Sequence, residues 1–276
     1  ERIKANKNLK VAQGISNRVI YIHMASGMPT APSVTGTNGK NPLADVRVRE
    51  ALSIAINRDA IVSRIMGGVA IAAGELLPPG MFGAHAAGQM KPPSFNVDRA
   101  KKLLADAGYP NGFGITLGTP NDRYINDAQV AQAVAQMWAR IGVKVEVDAM
   151  TSATFFSRRN KQEFAVFLAG WGSGTGEMSS PLKALLATAD KNKGFGATNP
   201  TGYSNKALDE GLTQALQTVD DVAREELLRK TSRIGMSDWA IIPLHFEVTP
   251  WAMNSKFNML PRVDQHTLPA DVTFSK

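Results

Sequence analysis

Residues 162–176, QEFAVFLAGWGSGTG, read as an apolar strand running straight into a glycine-rich turn that carries one indole, Trp171. Glycines let a backbone approach a ligand closely, the hydroxyls of Ser173 and Thr175 can donate or accept hydrogen bonds, and an indole can stack on a solute. In an open α/β sheet ligands bind outside the carboxyl ends of the strands, which is where this turn would stand. The chemistry offered is non-covalent recognition, with Trp171 as a platform and Gly172, Ser173, Gly174 and Thr175 as hydrogen-bonding groups around it. Thr119, Asn121 and Thr151 follow or end neighbouring strands and would line the same edge. The other reading of Trp171 is an inward core residue at the strand end. Trp138, on an amphipathic helix, reads as core.

Catalytic and metal-binding patterns are weak by comparison. Thr35-Gly36-Thr37-Asn38-Gly39-Lys40 is similar to the nucleotide loop of Mur-type peptide ligases, and a nucleotide-dependent ligase using Lys40 is the rival reading. Such a loop needs a preceding strand, a hydroxyl residue after the Lys, and a helix whose amino terminus faces the phosphates. Here Asn41 and Pro42 follow, so the segment reads as a turn. His23, His85, His245 and His266 are too widely spaced for a helical ligand pair, and no metal or cofactor is expected. Ser173 lacks the flanking glycines of a nucleophile elbow, and GWGSGTG lacks the spacing of a dinucleotide loop. The paired acids Asp220–Asp221 and Glu225–Glu226 suit a helix face and its amino-terminal dipole better than an acid/base pair. The chain reads as a non-enzyme.

The elements that would position the turn follow from periodicity. Asp45 caps a helix whose apolar residues run to Ile61, and Asn96 caps another that ends at Gly108. GITLGT (114–119), the helix 127–142, the period-two strand VKVEVDAM (143–150), a short helix from Thr151 or Ser152, and FAVFLAG then alternate, the pattern of a parallel sheet with crossover helices. Helices at SSPLKALLAT, NKALDEGLTQALQ and DDVAREELLRKTSRIGMSDWA follow, and IIPLHFEVTPWAMN reads as a final strand broken by prolines. NRVIYIHMAS would supply one strand near the start.

With 276 residues, 43% of them apolar, the chain can bury a substantial core. No run approaches the roughly 18 apolar residues of a membrane span. The absence of Cys removes disulfides and thiolate chemistry. The formal charge of +7 is spread along the chain, which fits a solvated basic surface and not a nucleic-acid footprint. The opening on Glu1, without initiator Met or leader pattern, reads as a processed or excised piece.

The ordered set NPLADVRVREALSIAINRDAIV (41–62), LPPG (77–80), NVDRAKKLLADAGYPNGF (96–113), AQMWARIGVKVEV (135–147), FAVFLAGWG (164–172), GYSNKALDEGL (202–212) and AIIPLHF (240–246) resembles the C-terminal half of bacterial extracellular solute-binding proteins of the dipeptide and oligopeptide type, family 5, which serve ABC transporters. The resemblance implies an α/β, periplasmic-binding-protein-like lobe with a mainly parallel sheet flanked by helices, plus hinge and first-lobe strands at both ends. Residues 1–44 would be a hinge and first-lobe remnant, 45–238 the second lobe, and 239–276 the return segment. It implies a periplasmic, exported protein that captures a peptide or peptide-like solute and partners the permease, meeting the membrane only through that permease or a lipid anchor outside this chain. Family members that bind peptides often carry Asp three residues beyond the turn Trp; here that position is Gly174, with Glu177 as a substitute carboxylate. Arg159, counted back from Trp171, aligns with an Arg that some members use against a ligand carboxylate. If a first lobe precedes the chain, Ile20, Ile22 and Phe246 should lie exposed on unpaired edges.

Overall fold

The computed structural model describes residues 3 and 5–275. Its framework is a seven-stranded mixed sheet. The long strand β1 (Leu9–Met24) and the two-residue β2 (Val34–Thr35) come first. Helix α1 (Val46–Ile54) begins where the Asp45 carboxylate accepts the Arg47 N–H, and α2 (Arg58–Ala60) continues into a wider turn, Ile61–Ile65. After β3 (Ala70–Ala72), the Asn96 side chain caps α3 (Val97–Asp106). Then β4 (Gly114–Pro120), α4 (Asp127–Ala139), β5 (Lys144–Met150), α5 (Ser152–Asn160) and β6 (Val166–Gly172) alternate as the periodicity predicts. The short α6 (Ser179–Pro181), α7 (Lys206–Gln217) capped by Asn205, and α8 (Asp221–Ser237) capped by Asp220 precede β7 (Ile241–Asn254). A hairpin of β8 (Phe257–Met259) and β9 (Val272–Phe274) closes the chain, so β7 is not the final strand.

The crossovers α4 and α5 place β5, β4 and β6 parallel, with Pro120 opposite Met150 and Gly118 opposite Phe167. The remaining ladders are antiparallel: β6 with β1, β1 with β7, β7 with β3, and β2 with the start of β4. Two core clusters occupy the two faces. Ile20, Leu168 and Leu117 meet Leu52, Leu104, Val134 and Trp138 on one, and Tyr21, Phe167 and Phe246 meet Phe155, Leu182, Leu208 and Leu228 on the other.

Two expectations are corrected. β7 runs unbroken through Pro243 and Pro250. The first lies beside a register shift against β1, and the second lies beyond Phe246 and its neighbours, where β3 pairs, so one side of the strand has no ladder there. Ile20, Ile22 and Phe246 are buried, because β1 inserts between β6 and β7 and the two terminal segments complete the central sheet.

Candidate functional site

The carboxyl ends of β4, β5 and β6 converge on one edge of the sheet, and β1 shapes that edge from the side. Between Ile15 and Val19 the pairing of β1 with β7 slips, leaving Ser16, Asn17 and Arg18 in a bulge. The Asn17 amide donates to the Ser173 carbonyl at 2.7 Å, and the Ser173 N–H donates to the Asn17 carbonyl at 3.4 Å. The bulge thus clamps the turn that follows β6.

That turn is internally tied. Ser173 is fully buried, and its hydroxyl donates to the Glu177 carbonyl (3.0 Å) while accepting the Glu177 N–H (3.2 Å). Its hydroxyl therefore holds the loop, where sequence reading offered it to a ligand. The Glu177 carboxylate pairs with Arg224 of α8 at 2.5 Å. Gly172, Gly174 and Thr175 are exposed, and a side chain at Gly174 would meet nothing within 4 Å. Trp171 is half-buried against the second core cluster, its indole N–H donating to the Ser180 hydroxyl at 3.2 Å. The ring is thus partly packed and partly accessible.

On β4, Thr119 is buried and donates to the Pro120 carbonyl at 2.9 Å. Asn121 is exposed, its N–H held by the Met150 carbonyl at 2.9 Å. Thr151 is the exposed residue preceding α5, 3.1 Å from the Thr154 hydroxyl. These three stand at the strand-end edge with Trp171 and Gly172. Arg159 lies in the last turn of α5, about 12 Å along the axis from Thr151, where it stacks on Phe156 at 4.9 Å and bonds Asn160, and its charge acts on Tyr124.

Three groups at this edge escaped the sequence reading. Tyr124 lies against Gly170, where an added Cβ would sit 2.7 Å from its ring, and its hydroxyl donates to the Gly170 carbonyl at 3.3 Å. Burial raises the Tyr124 phenol above its ordinary pKa, while the charges of Arg123, Arg18 and Arg159 act the other way. Arg123 stacks over the Tyr124 ring at 5.4 Å. Arg18 lies beside Gly172 and reaches the buried Glu247 carboxylate at 3.3 Å. The position of Arg123-Tyr124 just after a predicted strand was a usable signal; the bulge that presents Arg18 was not.

The TGTNGK segment lies at the opposite end of β4, where Thr35 pairs with Gly114. It is a tight turn with Gly36, Asn38 and Gly39 at positive φ, and the Asn41 amide is tied to the Ala25 and Met28 carbonyls. The three-residue Pro42–Ala44 turn follows, capped by the Asn41 side chain, which accepts the Leu43 N–H where a phosphate loop would carry a hydroxyl residue. Among the described residues no cluster of three metal-ligating side chains occurs.

Residues 1–193 match the family described as bacterial extracellular solute-binding proteins, family 5, middle region. The chain belongs to this family. It is 33% identical over 250 residues to the glutathione-binding protein GsiB of Shigella flexneri serotype 5b, covering 89% of this chain and 46% of that protein. The GsiB of Escherichia coli K12 is 32% identical over the same length. The chain thus spans about half the length of the curated relatives it matches. Among solved structures, HbpA2 from Haemophilus parasuis superposes with a TM-score of 0.83 at 24% identity, over 100% of this chain and 52% of that one. The periplasmic binding protein DppA from Helicobacter pylori, in complex with peptide STSA, gives 0.81 at 22% identity, over 100% and 50%. These likenesses show the fold.

Proposed function

We propose that this chain is part of the substrate-binding component of an ABC importer, an exported, periplasmic protein that captures a peptide or peptide-like solute and delivers it to the permease. The observation that carries the reading is the exposed face of the Trp171–Gly172 turn at the carboxyl ends of parallel strands, held rigid from below by Asn17, Ser173 and Ser180. A preformed edge with fixed donors binds without the entropic cost of ordering a loop. The family assignment and the relatives named for glutathione and peptides support the solute class.

In this reading residues 45–238 form the second lobe, with 1–44 and 239–276 as hinge and first-lobe segments. The solute bridges two lobes only when they close, so binding favours the closed form and that form is presented to the permease. Trp171 packs on the solute, Gly172, Gly174 and Thr175 hydrogen-bond it, and Asn121 and Thr151 flank it. Thr119, Ser173 and Glu177 shape the edge from behind.

Trp171→Ala tests the reading in the intact protein that carries this sequence. Loss of a half-buried aromatic contact should cost about 1–3 kcal/mol of affinity, roughly a five- to hundredfold rise in Kd for its solute. The protein should remain folded, because the first core cluster is untouched. An unchanged Kd would remove Trp171 from the site.

A further inference from the structure

The TGTNGK turn lies away from the proposed solute edge, yet it holds chemistry of its own. A glycine after an asparagine leaves the next backbone nitrogen unshielded by a Cβ and able to approach the asparagine side-chain carbonyl. The chain contains two such pairs, Asn38–Gly39 and Asn111–Gly112. Both asparagines are exposed, so solvent access does not tell them apart.

Their backbones do. The Gly112 N–H donates to the Tyr109 carbonyl at 2.9 Å, which engages the proton that must leave before the nitrogen can attack. The same segment is packed main chain against main chain: a Cβ at Gly112 would collide with the Gly142 carbonyl, and one at Gly142 would stand 3.3 Å from the Asn111 carbonyl oxygen. Close-packed groups on both sides resist the rotation that ring closure needs. Asn38–Gly39 has neither restraint. The pair occupies the centre of a turn closed by the Lys40 N–H donating to the Thr37 carbonyl at 3.1 Å, with φ of 52° at Asn38 and 77° at Gly39. The Gly39 N–H has no hydrogen-bond partner among the described residues, and a Cβ at Gly39 would meet nothing within 4 Å.

We propose that Asn38 is a site of spontaneous covalent modification, deamidation through a succinimide to aspartate and isoaspartate. A solvent hydroxide takes the Gly39 N–H proton, the nitrogen bonds to Asn38 Cγ, and the Cγ–Nδ2 bond breaks as the nitrogen leaves as ammonia, protonated by water. Water then opens the ring. Attack at Cγ gives aspartate, and attack at the main-chain carbonyl carbon of residue 38 gives isoaspartate, through whose side-chain carbon the chain then continues. Either product places a negative charge beside Lys40. Isoaspartate also lengthens the main chain by a methylene and so breaks the Thr37–Lys40 closure. About 20 Å of β4 separates this turn from Pro120 at the strand-end edge, so the proposal does not rest on the solute reading.

The test holds the intact protein that carries this sequence at mildly alkaline pH in water enriched in oxygen-18, natively and in concentrated urea, and then maps it by peptide mass spectrometry. Oxygen-18 marks the conversions that occur during the incubation. The native protein should convert Asn38 at least tenfold faster than Asn111, with separate aspartate and isoaspartate peptides, and urea should bring the two rates within threefold of each other. Similar native rates at the two sites, or a native Asn38 that stays intact while the unfolded one converts, would overturn the proposal. A tenfold difference that persists in urea would place its cause in the neighbouring residues and would overturn the structural argument as well.

Discussion

Acidifying the protein from pH 7 toward pH 4 is expected to lower its stability by several kcal/mol, well before most carboxylates are protonated. Two histidines cause this. His23 is fully buried between Tyr21 and Phe167, with one ring nitrogen 3.1 Å from the Thr201 hydroxyl and the other without a partner. Burial, aided by the Arg159 charge, pushes its pKa down to about 3. His245, on β7, is buried with neither ring nitrogen bonded, and burial pushes it down to about 4. The unfolded chain takes up a proton on each below about pH 6.5, and the folded chain does not until pH 3–4. Stability is therefore complete above pH 6.5 and declines as pH falls toward the folded values, by about 1.4 kcal/mol per pH unit for each histidine well inside that window. Buried Glu75, bound to His85, has a raised pKa and acts in the opposite direction above the normal carboxylate range, offsetting part of the loss. Urea midpoints at pH 7, 6, 5 and 4.5 measure the slope. His23→Gln and His245→Gln should each flatten it, and a midpoint constant across that range would contradict the account.

The second large effect is expected at Trp138. Along α4, Val130, Ala131, Val134, Ala135 and Trp138 fall on one face at spacings of three and four, and all are buried. Trp138 is completely enclosed, and its indole N–H donates to the Leu52 carbonyl at 2.8 Å, joining α4 to α1. Trp138→Ala removes the ring, leaves a cavity and orphans a buried acceptor, so a loss of about 3–5 kcal/mol is expected. Trp138→Phe keeps most of the volume and should cost less than half as much. Denaturant unfolding of the two variants gives both numbers. A loss under about 1 kcal/mol for the alanine variant would mean that the first core cluster collapses around the gap.

The contrast between these helices and the terminal strands explains how much was legible in the sequence. Asp45 and Asn96 cap the helices expected of them, because capping is settled within three residues of chain. The alternation from β4 to β6 was equally local. The pairing of β1 with β7 was not, since Leu9 meets Asn254 across nearly the whole chain, and nothing in NRVIYIHMAS names its partner. Pro243 and Pro250 pointed away from a continuous strand, yet the register shift and the unpaired side of β7 accommodate them.

The site shows the same division. Trp171 and its glycines were visible because the turn is contiguous with its strand. Arg18 becomes part of the edge only through a bulge in β1. Ser173 offered a hydroxyl on paper, but its neighbours within four residues use it fully. Arg159 was placed by counting, and it lies in the last turn of α5.

The central claim is that the Trp171 edge holds a peptide-like solute and that the protein closes on it. Calorimetry of the intact protein against glutathione, neutral tripeptides and ATP with magnesium, paired with small-angle X-ray scattering of each mixture, tests it directly. The account predicts saturable heat with at least one peptide, a smaller radius of gyration in that mixture, and neither effect with ATP. No peptide heat, together with ATP binding that is lost in Lys40→Ala, would contradict it.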